Sequence, residues 1–253
     1  MTMLKREKNP ITVYWSPFFE DSPTLLEPDW NMLYQNPELV HLDLINNKEK
    51  TSKNKSSFNC PAVNDRHSSS YVFKNNSRTT FSYDFSDLSN PIVESLEGIH
   101  STYYKQPNIV GSGYVRVSLK WVFFCEESVV AITNHPYAHK PTEYSVNCLF
   151  PSGRYDISKW IRPVSMEVQT WNEKGKITIN EGDPLFYLEL ITNRPVIMKR
   201  FNVNKALYRY IIACSQAASS YGPNKPLAER YYRFISTSTD KLVLREIKKN
   251  LIQ

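Results

Sequence analysis

Apolar and polar positions alternate along much of this chain. Val164, Met166 and Val168 are interleaved with Ser165, Glu167 and Gln169, the period of two expected of a strand with one buried face. Ile177 and Ile179 resume the alternation after Glu173-Lys174-Gly175-Lys176, which predicts a hairpin. Glu181-Gly182-Asp183-Pro184 then turns the chain into residues 185–191. That run is apolar at nearly every position, like a strand covered on both sides. Residues 196–198 follow after Asn193-Arg194-Pro195.

The N-terminal half carries the same signal. Ile11, Val13 and Trp15 predict a first strand closed by Pro17 and Pro23. Pro28 opens a short helical turn reaching Tyr34, and 39–45 is apolar without a clear period. Residues 46–57 are almost wholly Asn, Lys, Ser and Glu and predict a flexible loop. Residues 71–73 and 79–85 predict two strands around Asn75-Asn76, and 91–108 shows no regular pattern. The longest strand is expected at 114–124, with Val115, Val117, Leu119 and Trp121 on one face. Residues 129–133 return after Glu126-Glu127-Ser128 as a hairpin, and 143–150 predicts a further strand.

Helical spacing enters only at the end. Asn204 is placed to cap a helix running to Ser219, with Leu207, Ile211, Cys214 and Ala218 on one face. Gly222-Pro223 stops it. Leu227 to Ile235 predicts a second helix. Thr237 and Asp240 precede a third, with Leu244, Ile247 and Leu251 on one side and Lys241, Arg245, Lys248 and Lys249 elsewhere. Strands first and helices last predict an α+β chain, mainly β: a β-sandwich or jelly-roll-like core in one domain spanning 1–253, with the helical segment 204–253 packed on the sheet.

Composition agrees. Of 253 residues 41% are hydrophobic and 13% aromatic, and Tyr (16) and Phe (12) favour sheets. The net charge is +6, but Lys and Arg are spread along the chain, so nucleic-acid binding is not favoured. The four cysteines form no C-x-x-C pair, and three lie in apolar stretches as buried thiols would. No apolar run approaches the roughly 20 residues that cross a bilayer as a helix, and the expectation is a soluble protein.

Candidate chemistry is sparse. His135, His139 and Glu143 have a spacing that would align ligands for a divalent metal on a helix, but Pro136 and Pro141 interrupt one. A loop or sheet edge is then the place where they would converge. His41-Leu42-Asp43 resembles the H-x-D start of the facial triad in iron- and 2-oxoglutarate-dependent oxygenases. That resemblance would need a second imidazole from His135 or His139, with Arg154 as the later basic residue. Cys60 and His67 lack a third group to orient a thiol–imidazole pair. Trp160, Arg162 and Trp171 bracket the central run and are candidates for a binding surface, although core anchoring is the commoner use of such residues. No Gly-rich phosphate loop or nucleophile elbow occurs.

Asn59-Cys60-Pro61-Ala62-Val63 with 71–73, and Trp160-Ile161-Arg162-Pro163 leading to 181–185, resemble uncharacterised proteins of tailed phages of marine bacteria. The second segment is also similar to a bacterial domain family of unknown function. The likeness covers about a third of the chain and implies a viral setting, in the infected-cell cytoplasm or the virion. The expectation is a phage-type accessory or virion-associated protein acting through a protein partner or as a homo-oligomer. The alternative is a cupin- or oxygenase-like metalloenzyme.

Overall fold

The computed structural model describes residues 9–18, 35–46, 60–87, 92–95, 101–104, 113–158, 161–220, 226, 229, 236 and 239–252. The turn predicted after Pro28, most of the 46–57 loop and nearly all of the 227–235 helix lie outside them.

Two sheets face each other across one apolar core. The first is ordered β14-β1-β7-β11-β9, with β6 also paired to β7. Its strands are β1 (Ile11–Phe18), β6 (Ser101–Tyr104), β7 (Tyr114–Cys125), β9 (Cys148–Leu149), β11 (Val164–Thr170) and β14 (Val196–Arg200). The second is ordered β10-β8-β13-β3-β2 and comprises β2 (Glu38–Leu39), β3 (Ser70–Lys74), β8 (Val130–Asn134), β10 (Gly153–Asp156) and β13 (Pro184–Ile191). A third, three-stranded sheet of β4 (Thr79–Asp84), β5 (Ile92–Ser95) and β12 (Lys174–Ile179) feeds the same core through Phe81, Tyr83, Ile177 and Ile179. This is the mainly β, α+β architecture that the alternation predicts.

Alternation decides which side chains meet. Val13 and Trp15 of β1 and Trp121 and Phe123 of β7 turn inward against Phe73 and Phe186 of the opposite sheet. Tyr14, Phe18, Val122 and Phe124 turn outward and are covered by helices α4 (Lys205–Ser220) and α5 (Thr239–Lys249). Asn204 Oδ1 accepts the Leu207 N–H at 2.9 Å, an N-cap that starts α4 where the sequence places it. Leu207, Ile211 and Cys214 form its buried stripe. On the outer face of the second sheet, Val72 and Tyr187 lie under Val40 of helix α1 (Val40–Asn46). Helix α2 (Pro61–Ser68) follows beside it.

Several pairings differ from expectation. β11 and β12 form no hairpin: β11 pairs with β7 and β9, and β12 with β4. β7 and β8 likewise fall in different sheets. Pro17 does not end β1. It lies past Trp15, the last residue paired with β14, so its missing N–H removes no ladder bond on that side. The patternless 91–108 stretch holds β5 and β6, short strands that follow a neighbour's ladder. Residues 143–147 are helix α3 (Glu143–Asn147) and not a strand. Thr142 Oγ1 accepts the Ser145 N–H at 3.1 Å, and the Thr142 N–H donates to Ser145 Oγ at 2.8 Å, a reciprocal box that outweighs the local alternation.

Two turns fix the corners. Asn75 Nδ2 donates to the Ile179 carbonyl at 3.0 Å, and the Gly182 N–H returns to the Asn75 carbonyl at 2.8 Å, with Gly182 at φ 83°. Gly113 backs directly onto the Phe85 ring, where an added Cβ would fall inside the ring's van der Waals envelope. Phe85 is buried. Gly113→Ala is therefore expected to cost about 1–3 kcal/mol by overpacking, read as a lower urea midpoint with unchanged slope.

Candidate functional site

A polar cluster is built on the outer face of the second sheet from four parts of the chain. α1 supplies Asp43, β3 supplies Lys74, the 135–142 segment supplies His139 and β13 supplies Tyr187. Lys74 Nζ donates to Asp43 Oδ1 at 2.5 Å, and His139 Nε2 lies 2.6 Å from Asp43 Oδ2. His139 Nδ1 contacts the Tyr187 hydroxyl. That hydroxyl oxygen also accepts the Ala138 and His139 backbone N–H groups, each at 3.2 Å.

Proton counting assigns the states. With two N–H donors already on its oxygen, Tyr187 has its own O–H left to give, and Nδ1 of His139 accepts it. Nε2 then carries the single imidazole proton and donates to the Asp43 carboxylate. A doubly protonated ring would turn a third donor onto the Tyr187 oxygen. Burial acts in the same direction, lowering the His139 pKa against the opposing pull of Asp43. Burial by itself would raise Asp43. The hydrogen bonds from Lys74 and His139, with the charges behind them, outweigh it and hold the carboxyl below its ordinary range. Burial likewise pushes the Tyr187 phenol up. The cluster at neutral pH is a Lys74–Asp43 ion pair, a neutral imidazole and a protonated phenol.

A second tier surrounds it. Arg66 Nε of α2 pairs with Glu189 Oε2 of β13 at 3.0 Å, and Asn134 Nδ2 donates to the same oxygen at 3.2 Å. The Arg66 guanidinium lies 4.8 Å from the Tyr137 ring centroid. Tyr137 also stacks on the buried His67 ring at 6.0 Å and meets Tyr187 edge-on at 5.2 Å. Burial, followed by the His41, Arg66 and His139 charges, lowers the His67 pKa.

The metal candidates fall apart here. His135 Nδ1 accepts the Phe150 N–H at 3.1 Å, and its Nε2 donates to the Ser145 carbonyl at 3.1 Å. Glu143 Oε1 accepts the Thr178 N–H at 3.0 Å. His135, His139 and Glu143 thus serve three separate bonding systems, and neither imidazole keeps a free lone pair. Asp43 is engaged by Lys74 and His139, and His41 Nδ1 is buried without a hydrogen-bond partner among the described residues. Among those residues, no three His, Cys, Asp or Glu side chains stand as a metal-holding group. Arg154 is exposed on β10, and Cys60 is exposed just before α2.

Of the surface candidates, Trp160 lies outside the described residues. Arg162 precedes β11 and Trp171 follows it, with the whole strand between them, so they form no common patch. Trp171 is 52% exposed beside Val146 at 59%. Its ring N–H donates to the Val146 carbonyl at 3.1 Å and its backbone N–H to the Asn147 carbonyl at 3.4 Å. The indole is thereby held in one orientation with its apolar surface in water.

No family model, curated protein or solved structure matches this chain. No helix among the described residues is long and apolar enough to cross a membrane.

The H-x-D and H-x3-H spacings each contributed one member to the real cluster, Asp43 and His139. Lys74 and Tyr187 went unread. The one available signal was a phenol at the centre of an otherwise apolar run, since a buried Tyr hydroxyl needs a polar partner.

Proposed function

We propose that this chain is a phage-type accessory or virion-associated protein that works through protein contacts, with Trp171 and Val146 as an anchor. The observation carrying the reading is the half-exposed indole, whose ring N–H donates to the Val146 carbonyl of α3 while the Trp171 backbone N–H donates to the Asn147 carbonyl. Large aromatic side chains held rigid at a surface give binding area at small entropic cost and dominate measured interface energies. The inward engagement of His135, His139, Asp43 and Glu143 supports a scaffold over a metalloenzyme. The viral setting rests on the resemblance of the 59–63 and 160–163 segments.

A photo-crosslinking side chain at Asn172, next to the indole and exposed, is expected to capture one defined protein in infected cells or purified particles. Trp171→Ala is expected to weaken binding of that purified partner by about 2 kcal/mol, roughly thirty-fold, in calorimetric titration. Unchanged affinity would overturn the assignment. So would a capture pattern identical to that from a crosslinker at the exposed Lys205.

A further inference from the structure

We propose that α1, α2 and the 135–142 segment form an acid-released cover over the second sheet, held shut by neutral His139 and His67. The argument begins with charge. At neutral pH the groups around these rings balance: Asp43 of α1 and Glu189 of β13 against Lys74 of β3 and Arg66 of α2. Among the described residues, His41 of α1 and the phenols Tyr137 and Tyr187 are further titratable groups turned toward them. A proton added to His139 leaves Asp43 shared between two cations, Lys74 on Oδ1 and the imidazolium on Oδ2, and the charged groups acting on His67, namely His41, Arg66 and His139, all oppose a proton there.

Geometry supplies the second half. A proton on Nδ1 of His139 abolishes the hydrogen bond donated by Tyr187 and crowds an oxygen already accepting the Ala138 and His139 N–H groups. Those two amides tie the 135–142 segment to β13, so the imidazole proton and the segment's attachment compete for the same phenol. His67 sits beneath Tyr137 of that segment, and its protonation adds like charge beside Arg66. Releasing the cover puts both rings in water and uncovers Val72 and Tyr187. An exposed imidazole, with a pKa of about 6.5, gains protons by a factor of about ten between pH 7.5 and 5.5 relative to one kept neutral. Two such rings multiply the open population by at most about a hundred. Their folded pKa values lie below the ordinary one, so closure is complete above about pH 6.5 and is lost as pH falls below it.

Hydrogen exchange on the full chain tests this, read at the Ala138 and His139 amides and across α1, and corrected for intrinsic pH effects. Expected is a rise in opening well above threefold, and at most about a hundred-fold, from pH 7.5 to 5.5, while α4 amides from Leu207 to Cys214 keep their protection. Loss of protection everywhere together, or nowhere, overturns the proposal. A His67→Gln, His139→Asn variant is expected to lose most of the pH dependence, to under about threefold. Should that variant fail to fold, imidazole titration by NMR on the unaltered protein decides. A His139 resonance titrating at or above the ordinary value while the two amides stay protected overturns it, and midpoints below that value in step with amide exposure support it.

Discussion

Replacing Phe186 with Ala is expected to remove about 4 kcal/mol of stability. The side chain is fully buried on β13 and touches aromatic rings from both sheets. It stacks on Phe73 with ring centroids 4.8 Å apart and on Phe150 at 5.1 Å, and it meets Trp121 edge-on at 4.9 Å. Trp121 belongs to the opposite sheet, so this ring is one of the contacts joining the two layers. Phe→Ala in a core costs about 3–5 kcal/mol from lost transfer energy and the cavity left behind. Flat rings packed on three sides, two stacked and one edge-on, cannot close over such a gap without tilting, and each lost ring pair adds about 0.5–1.5 kcal/mol within that total. In a domain of this size the loss corresponds to a fall of roughly 8–16 °C in melting temperature. Urea unfolding should show a lower midpoint at unchanged slope. Ile197→Ala on the half-exposed edge strand β14 should stay within about 1 kcal/mol. A cost for Phe186→Ala below about 2 kcal/mol would mean that the sheets are not packed through this aromatic cluster.

Those same rings show what was legible in the sequence. Phe186 and Leu188 lie in a run with no alternation, which correctly predicts a strand covered on both faces: Phe186 looks into the core, and Tyr187 lies under α1 and the 135–142 segment. Strands β1, β7 and β11 were equally plain, because one face of each meets an apolar layer and period two records it. Pairing was not plain. Glu126-Glu127-Ser128 and the residues after Trp171 mark places where the chain bends, but a bend does not state whether the next strand returns to its neighbour or crosses to the other sheet. β8 and β12 cross, and long-range ladders with β13 and β4 settle where they go. At α3 a local rule was present and missed, since Thr142 and Ser145 cap a helix that Tyr144 and Val146 disguise as alternation. The polar cluster was half legible for a related reason. Its members lie in four segments between residues 43 and 187, and motif spacing reports only residues that are close along the chain.

Asp43→Ala is the substitution expected to damage that cluster most, by about 3–5 kcal/mol at neutral pH. Asp43 is 1% exposed and receives both the Lys74 ammonium and the His139 imidazole. Removing one member of a buried charge pair costs more than the pair contributes, because the other charge stays desolvated with nothing opposite it. Lys74 retains some access to solvent, its side chain 18% exposed, which favours the lower end of the range. Asp43→Asn keeps the shape and one acceptor oxygen, so it should cost less, about 2 kcal/mol, chiefly through the lost charge. The pH dependence carries an independent sign. The folded carboxyl pKa lies below the ordinary value, so its contribution is present above about pH 4 and is lost as pH falls through the folded value. Urea unfolding at pH 7.5, 5.5 and 3.5 should therefore show the gap between the unaltered protein and Asp43→Ala narrowing toward the most acidic point. A gap below 1 kcal/mol at pH 7.5, the size expected of a solvent-exposed ion pair, would show that α1 is not fastened to the sheet through this carboxylate.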